Sequence, residues 1–268
     1  MKILVLIKEV PDMDKVKFDS QRGVVDRAKA PAEINPFDEN ALEIAVKLKE
    51  KYPDIYVSVL TMGPKRAEKS LRMAYARGAD ECILLSDAGF GGSDTCATSK
   101  TLAAAIKKTG PYDLIICGEK TVDGDTAQVG AETAEYLGIP HCYYVGGIDY
   151  LKDGRITVLC EELWGRKQLR QMSLPALISV TKNIARPKLP TVKRRLASLN
   201  IQIQVLGLSE LNGFLDAEET GFKGSPTKVS KVVVPEEKIR KSRLFREDPL
   251  VFQDAVKEVL ASKGLIQR

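Results

Sequence analysis

A strand pattern followed by a helix pattern occurs four times in succession between residues 2 and 137, and this repeat constrains the fold more than any other feature. Each helix carries a start or stop signal, such as Asn35-Pro36 before the first and Gly138 after the fourth. The predicted strands are 2–10, 55–60, 81–85 and 114–117, and the predicted helices are 36–51, 64–77, 94–108 and 126–137. The repeat predicts a doubly wound, mostly parallel α/β sheet with helices on both faces.

The pattern changes after residue 143. Strand-like runs are predicted at 145–151, 155–161, 166–172 and 176–181, and Asp153-Gly154 is a hairpin turn signal, so we expect antiparallel strands at the edge of the sheet. Beyond residue 225 only a short strand, 231–234, and a helix, 248–262, are predicted. We therefore expect an α/β domain at 1–225 and a C-terminal arm at 226–268 that packs on another chain.

Composition narrows the function classes. The net charge of +5 is too small to indicate nucleic-acid binding, and the apolar runs are too short to span a bilayer. The chain has a single histidine, and no two of its five cysteines form a C-x-x-C pair, so neither a zinc nor an iron–sulfur site is expected. Cys82, Cys117 and Cys160 lie in strand patterns and are predicted to be buried thiols. We expect a cytoplasmic protein whose chemistry, if it moves electrons, depends on an organic cofactor.

Two loops follow strands at the edge where parallel sheets bind ligands. In the loop from Gly118 to Gly130, Gly118 permits close backbone approach, Gly124 permits a positive φ, and Thr126 can begin a helix whose amides favour a phosphate. Asp123 would then have to face hydroxyls or backbone donors. The alternative is an acidic surface loop.

The other loop contains Gly91-Gly92-Ser93-Asp94 before a hydroxyl-rich helix start that includes Thr95 and Thr98. It also suits a phosphate, and the alternative is a flexible loop. The two loops together could hold a dinucleotide, with its diphosphate against the helix starts at Thr95 and Thr126.

Ordered motifs along nearly the whole chain resemble the β subunits of electron transfer flavoproteins. The motifs are IKEVPD at 7–12, INPFDENA at 34–41, MGP at 62–64, ARGAD at 76–80, DGDTAQVG at 123–130 and ARP with LPT at 185–191. The resemblance implies a Rossmann-like, adenine-nucleotide-binding fold and an obligate heterodimer with a larger flavin-carrying α subunit.

The resemblance also implies nucleotide contacts. They are Leu6, Ile7, Lys8, Asn35, Met62, Gly63, Gly118, Val122, Asp123, Gly124, Asp125, Thr126, Gln128, Val129 and Gly130, to which the second loop adds Thr95 and Thr98. In simple members of the family the nucleotide is AMP, and in bifurcating members it is a second FAD that accepts hydride from NADH. The segments 122–130 and 92–99 are similar to the bifurcating form.

The resemblance places partner recognition at about 184–200, with Arg186, Leu189 and Val192 as expected contacts to an acyl-CoA or other flavin dehydrogenase. This segment departs from a common family form after Val192. The alternative for its basic residues is a solvated loop. We expect an electron-transfer component of an NADH-dependent flavoprotein oxidoreductase complex, with ferredoxin as an acceptor in the bifurcating form and no catalytic side chain.

Two other functions remain open at the sequence level. One is a structural AMP-holding scaffold. The other is an adenylating enzyme of the ATP-pyrophosphatase kind. Such enzymes have a G-G-x-D-S phosphate loop, which the run Gly91-Gly92-Ser93-Asp94-Thr95 resembles. In those enzymes the loop should follow the first strand, whereas here it follows the third.

Overall fold

The computed structural model describes residues 1–12, 17–19, 24–26, 31–161, 165–228, 244–246 and 248–266. The chain divides into two units, Met1–Val232 and Val233–Arg268. The elements in chain order are β1 (Lys2–Leu6), β2 (Glu9–Pro11), β3 (Lys17–Asp19), β4 (Val24–Asp26), β5 (Ala32–Ile34), α1 (Pro36–Lys51), β6 (Tyr56–Met62), α2 (Glu68–Arg77), β7 (Glu81–Leu85), α3 (Thr95–Thr109), β8 (Leu114–Gly118), α4 (Val129–Leu137), β9 (His141–Lys152), β10 (Arg155–Glu161), β11 (Lys167–Ser173), β12 (Ala176–Val180), α5 (Val192–Ala197), β13 (Gln204–Leu206), α6 (Gly221–Gly224) and α7 (Pro249–Ser262). No helix within the described ranges is long and apolar enough to cross a membrane.

A nine-stranded sheet is the frame of the first unit, in the order β11-β10-β9-β12-β8-β1-β6-β7-β13. The strands from β9 to β13 in this order are parallel, whereas β10 is antiparallel to both β9 and β11. The central strands are almost wholly buried, as expected of a parallel sheet covered on both faces. The predicted α/β class and mostly parallel sheet are confirmed.

Helices cover both faces of the sheet. The helices α1 and α2 bury Leu42 and Leu71 against one face. The helices α3 and α4 bury Leu102, Ile106 and Ala134 against the other. This arrangement leaves the loops at the carboxyl ends of the strands as the exposed edge between the two helical layers.

Three strand predictions needed correction. The first strand stops at Leu6, and residues 9–11 pair instead with β5. The strands β9 and β12 are parallel to the rest, because β11 continues into β12 through Leu174-Pro175 without reversing direction. The predicted antiparallel edge is formed by β10 against β9 and β11, and the predicted turn at Asp153 (φ 54°) and Gly154 (φ 69°) joins β9 to β10. The edge strand β13 was not predicted, and the predicted strand at 231–234 lies outside the described residues.

The second unit is described at 244–246 and 248–266. Asp248 caps α7 by accepting a hydrogen bond from the backbone N–H of Leu250, and Phe245 packs edge-on against Phe252. No described residue of α7 is buried, although Phe252, Val256 and Val259 share one apolar face at helical spacing. The helix matches the predicted one to within a residue, and the role of the arm stays a prediction.

Candidate functional site

The sheet has a topological switch point at β1. From β1 the chain builds outward through β6 and β7 on one side and then crosses to β8 on the other side. The crevice outside the carboxyl ends at such a point is the usual ligand site of open α/β sheets. It is bordered by Ile7 and Lys8, after β1, and by residues 119–128 between β8 and α4, which we call the switch-point loop. The fold therefore brings Lys8 and the predicted 118–130 residues to one place.

The side chain of Asn35 holds the switch-point loop. Asn35 lies at the N-cap position of α1, as predicted, but its side chain does not cap the helix. Its Nδ2 donates to the backbone oxygen of Lys120 (2.9 Å), and its Oδ1 accepts from the backbone N–H of Val122 (3.2 Å). Sequence reasoning gave Asn35 a nucleotide contact; in the structure its side chain bonds the loop.

Asp38, three residues further along the first turn of α1, joins the ends of two strands. Its carboxylate accepts from the backbone N–H of Lys8 (2.8 Å) after β1 and from that of Gly118 (3.0 Å) at the end of β8. Burial raises the pKa of this carboxyl to about 7, although both hydrogen bonds lower it. Sequence reasoning missed the role of Asp38 and placed it only among acidic residues that suit a helix start.

Gly118 is required by the contact between α1 and β8. A Cβ at this position would lie 2.5 Å from the Oδ1 of Asp38 and 2.7 Å from the Cβ of Phe37. The sequence predicted close approach of a ligand here. The structure shows close approach of the protein's own first helix.

The two aspartates of the switch-point loop are each paired with a lysine. The Nζ of Lys8 lies 2.8 Å from each carboxylate oxygen of Asp123, and the Nζ of Lys120 lies 2.8 Å from Oδ1 of Asp125. Burial would raise the pKa of Asp123, but the hydrogen bonds from Lys8 and Thr121 lower it below its usual value. The sequence predicted hydroxyls or backbone donors as partners; the long-range partner Lys8 could not be inferred from spacing.

The switch-point loop contains two strained residues. Asp125 (φ 54°) and Ala127 (φ 55°) are both in the left-handed region, which is unfavourable for residues with a Cβ. Gly124, where the sequence predicted a positive φ, is not in that region. Such strain is concentrated at functional sites.

The helix α4 begins at Val129, three residues later than predicted, and the side chain of its N-cap residue, Gln128, makes no capping hydrogen bond. Thr126 and Gln128 are exposed. The backbone N–H groups of Val129 and Gly130 are therefore not capped by any described residue, as an anion site requires, whereas that of Ala131 donates to the Tyr143 hydroxyl (3.2 Å).

The start of α3 differs from that of α4, because it already holds an anion. The carboxylate of Asp94 accepts from the backbone N–H of Ala97 (3.0 Å) and from both the N–H and the hydroxyl of Thr227. Two more residues bond to the same Gly-rich loop. The Ser225 hydroxyl accepts from the Asp94 N–H, and the Gly221 N–H donates to the Ser93 hydroxyl. This loop thus anchors the chain segment 220–227.

The other predicted nucleotide contacts lie near or within this edge. Thr95 donates to Glu132 of α4 (3.2 Å), and Thr98 is partly exposed on α3. Gly63 follows Met62 at the end of β6 and donates to the oxygen of Leu85. Leu6 and Ile7 are buried at the end of β1, and Gly130 packs so closely on Cys117 that a Cβ would lie 2.8 Å from its sulfur.

The predicted partner-recognition segment is exposed. Leu189 is 88% exposed and Val192, the first residue of α5, is 76% exposed. Arg186 is exposed as well. Leu196 and Leu199, which sequence reasoning did not single out, extend the apolar surface.

This segment is fixed to α2 by arginines. Arg194 donates through Nη2 to the backbone oxygens of Tyr75 (2.9 Å) and Ala79 (3.2 Å), and its guanidinium lies over the Tyr75 ring. Arg72 donates to the oxygens of Ser198 and Leu199. The apolar side chains are thereby presented on an anchored backbone.

The described residues offer no metal-binding group of three or more His, Cys, Asp or Glu side chains. All five cysteines are free, and Cys82, Cys117 and Cys160 are buried, as predicted. Burial raises the pKa of the Cys82 thiol to about 12 and holds that of Cys117 still higher, so both are unreactive near neutral pH.

Comparison with known proteins identifies the family. Residues 22–207 match the electron transfer flavoprotein domain. The chain is 39% identical to the electron transfer flavoprotein subunit beta of Megasphaera elsdenii, over 99% of this chain and 100% of the relative. It is 38% identical to the caffeyl-CoA reductase-Etf complex subunit CarD of Acetobacterium woodii, over 88% of each chain. It is also 38% identical to the acryloyl-CoA reductase electron transfer subunit gamma of Anaerotignum propionicum, over 89% of this chain and 90% of the relative.

The chain belongs to the electron transfer flavoprotein family, as a β subunit. The family relationship confirms the resemblance inferred from the sequence motifs, and it assigns the protein to electron transfer. Electron transfer flavoprotein β subunits pair with α subunits, which gives the exposed surfaces of this chain a first partner.

Proposed function

We propose that this β subunit binds FAD at the switch-point crevice, accepts hydride from NADH and passes electrons through the FAD of its α subunit to a flavin dehydrogenase, with bifurcation to ferredoxin. The observation that carries the proposal is the switch-point loop. It brings together at one crevice a helix start whose N-cap side chain makes no hydrogen bond, the exposed Thr126 and Gln128, and the strained Asp125 and Ala127.

The charges of the crevice fit a diphosphate. Asp123 and Asp125 would repel it if they were unpaired, but each is neutralised by a lysine within 2.8 Å. The first amides of α4, with the side chains of Thr126 and Gln128, would hold the diphosphate. Because α3 is already capped by Asp94, contacts from Thr95 and Thr98 are a weaker part of the proposal.

Bound FAD would accept two electrons from NADH and pass them on one at a time. Amino-acid side chains do not supply this chemistry. The residues of the crevice would bind and orient the cofactor and set its surroundings. None of them needs to act as an acid or a base, because hydride passes directly between the two rings.

The names of the relatives support the proposed partners. One relative is a subunit of a caffeyl-CoA reductase-Etf complex, and another is an electron transfer subunit of an acryloyl-CoA reductase. We propose that Arg186, Leu189 and Val192 contact such a flavin dehydrogenase, and that the C-terminal arm, 226–268, packs on the α subunit. Basic residues beside the apolar contacts would raise the association rate more than the affinity.

The test uses the complex of this chain with its α subunit. We expect NADH to bleach flavin absorbance under anaerobic conditions. Replacing Gln128→Glu adds a carboxylate of nearly the same size at the proposed diphosphate seat, where a helix start tolerates it, and should reduce FAD retention and NADH reduction about tenfold or more.

The matched control is Gln204→Glu on the exposed edge strand β13, which should have no effect on either property. If NADH bleaches no flavin in the native complex, or if Gln128→Glu retains all flavin and the full rate, the proposal is wrong.

AMP is the second candidate ligand, because the same helix start would hold its single phosphate. The adenylating-enzyme alternative has less support, since the Gly-rich loop that suggested it is engaged by Gly221, Ser225 and Thr227 of the same chain. Release of pyrophosphate from ATP would revive that alternative.

A further inference from the structure

The first turn of α1 forms a template for the switch-point loop. Together, Asp38 and Asn35 bond the backbone of Gly118, Lys120 and Val122, which are alternate residues of the segment that leaves β8. After Val122 the chain turns and brings Asp123 onto Lys8, whose own N–H is also held by Asp38. The loop is therefore held mainly from a helix, and the neighbouring strand β12 adds one bond, from the Glu119 N–H to the Val180 oxygen (3.0 Å).

We infer that Asp38, with Asn35, is a positioning residue of the nucleotide site, acting through the backbone of Lys8 and of the loop 118–122. The inference rests on the proposed function and deepens it, because neither side chain is required to touch the nucleotide. Both are almost wholly buried, at 5% and 0% exposure, so their bonds cannot be replaced by water without rearrangement. Removing one acceptor would leave a backbone N–H unpaired and release the loop.

Ionisation of Asp38 gives the inference a specific signature. The groups that face it are the Lys8 ammonium at the end of β1, itself paired with Asp123, and the Cys117 thiol of β8. The ionised carboxylate accepts from both N–H groups at once, whereas the protonated form has a hydroxyl directed at one of them. Since its pKa is raised to about 7, nucleotide affinity should rise as pH increases through that value.

The experiment measures binding of FAD and of AMP to the full-length chain by calorimetry, from about pH 6 to about pH 8, on either side of the Asp38 pKa. Hydrogen exchange of the peptide covering 118–128 is measured in parallel. Asp38→Asn should weaken binding about tenfold, remove its dependence on pH, and speed exchange of the loop. Asn35→Ala should also weaken nucleotide binding and speed exchange of the loop. This variant tests the inference if Asp38→Asn does not fold.

The matched control is Glu39→Gln, in the same helical turn, which pairs with Arg77 away from the loop. It should change neither binding nor loop exchange. Native affinity in both Asp38→Asn and Asn35→Ala, or native protection of the loop in both, overturns the inference. If the native chain binds neither FAD nor AMP, the proposed function fails, and the exchange measurement alone decides whether these residues set the loop.

Discussion

At the scale of single residues, the site depends on the fit between the first turn of α1 and the end of β8. Gly118→Ala would place a Cβ within 2.5 Å of the Asp38 carboxylate. We expect the free energy of unfolding in urea to fall by about 1–3 kcal/mol, the usual cost of inserting a methyl group into a packed contact.

The matched control for this prediction is Gly124→Ala in the same loop. The new Cβ would contact only the Thr121 hydroxyl, at 3.4 Å, and the backbone of Gly124 is not left-handed. Its effect should stay below about 1 kcal/mol. Equal effects of the two substitutions would contradict the account of Gly118.

Sequence reasoning selected several residues that the fold brings together but did not predict the contacts that they make within the protein. Gly118, Asn35 and Asp123 were selected by family motif and by loop position, and the fold does bring them together. Their partners are separated from them by roughly 80 residues or more in sequence, as in the bond from Gly118 to Asp38. No local pattern predicts such a bond, which explains why Asp38 was missed.

At the scale of elements, α5 and the residues before it form the exposed apolar surface. Val192→Asp should slow electron delivery to the dehydrogenase at least about tenfold, because a charge would replace an apolar contact at the proposed interface. Flavin content should not change, since Val192 is distant in sequence from the switch-point loop and shares no described contact with it. Stopped-flow reduction of the dehydrogenase measures the rate.

The control for the α5 prediction is Leu169→Asp on β11, at the far edge of the sheet, where an exposed leucine is also replaced by a charge. It should leave the rate unchanged. An unchanged rate for Val192→Asp, or an equal loss for Leu169→Asp, would show that this surface does not receive the dehydrogenase.

Elements with strong local signals were predicted well. The strand β7 has its predicted bounds, and α3 and α7 match to within a residue, because apolar periodicity and capping residues mark them. The strand β12 was predicted within the antiparallel edge but is parallel to its neighbours β8 and β9, because the apolar pattern of a strand does not specify its direction. The strand β13 was missed because three residues at an edge carry no period of their own.

At the scale of the whole molecule, the chain presents surfaces that its own fold does not cover. The apolar side chains of α7 and of the segment 189–199 are exposed, and the family relationship supplies an α subunit as partner. Fold class and family could be predicted from repeats and motifs distributed over the full length. The choice between FAD and AMP could not, because the same helix start suits either phosphate group.

The most direct test of the central claim is the number of flavins in the purified heterodimer of this chain and its α subunit. Absorbance of released flavin, divided by the protein concentration, gives that number without any assumption about the electron acceptor. Our account predicts two FAD per heterodimer, one of them lost in the Gln128→Glu variant. A single flavin in the native heterodimer, with AMP released on denaturation, would contradict it.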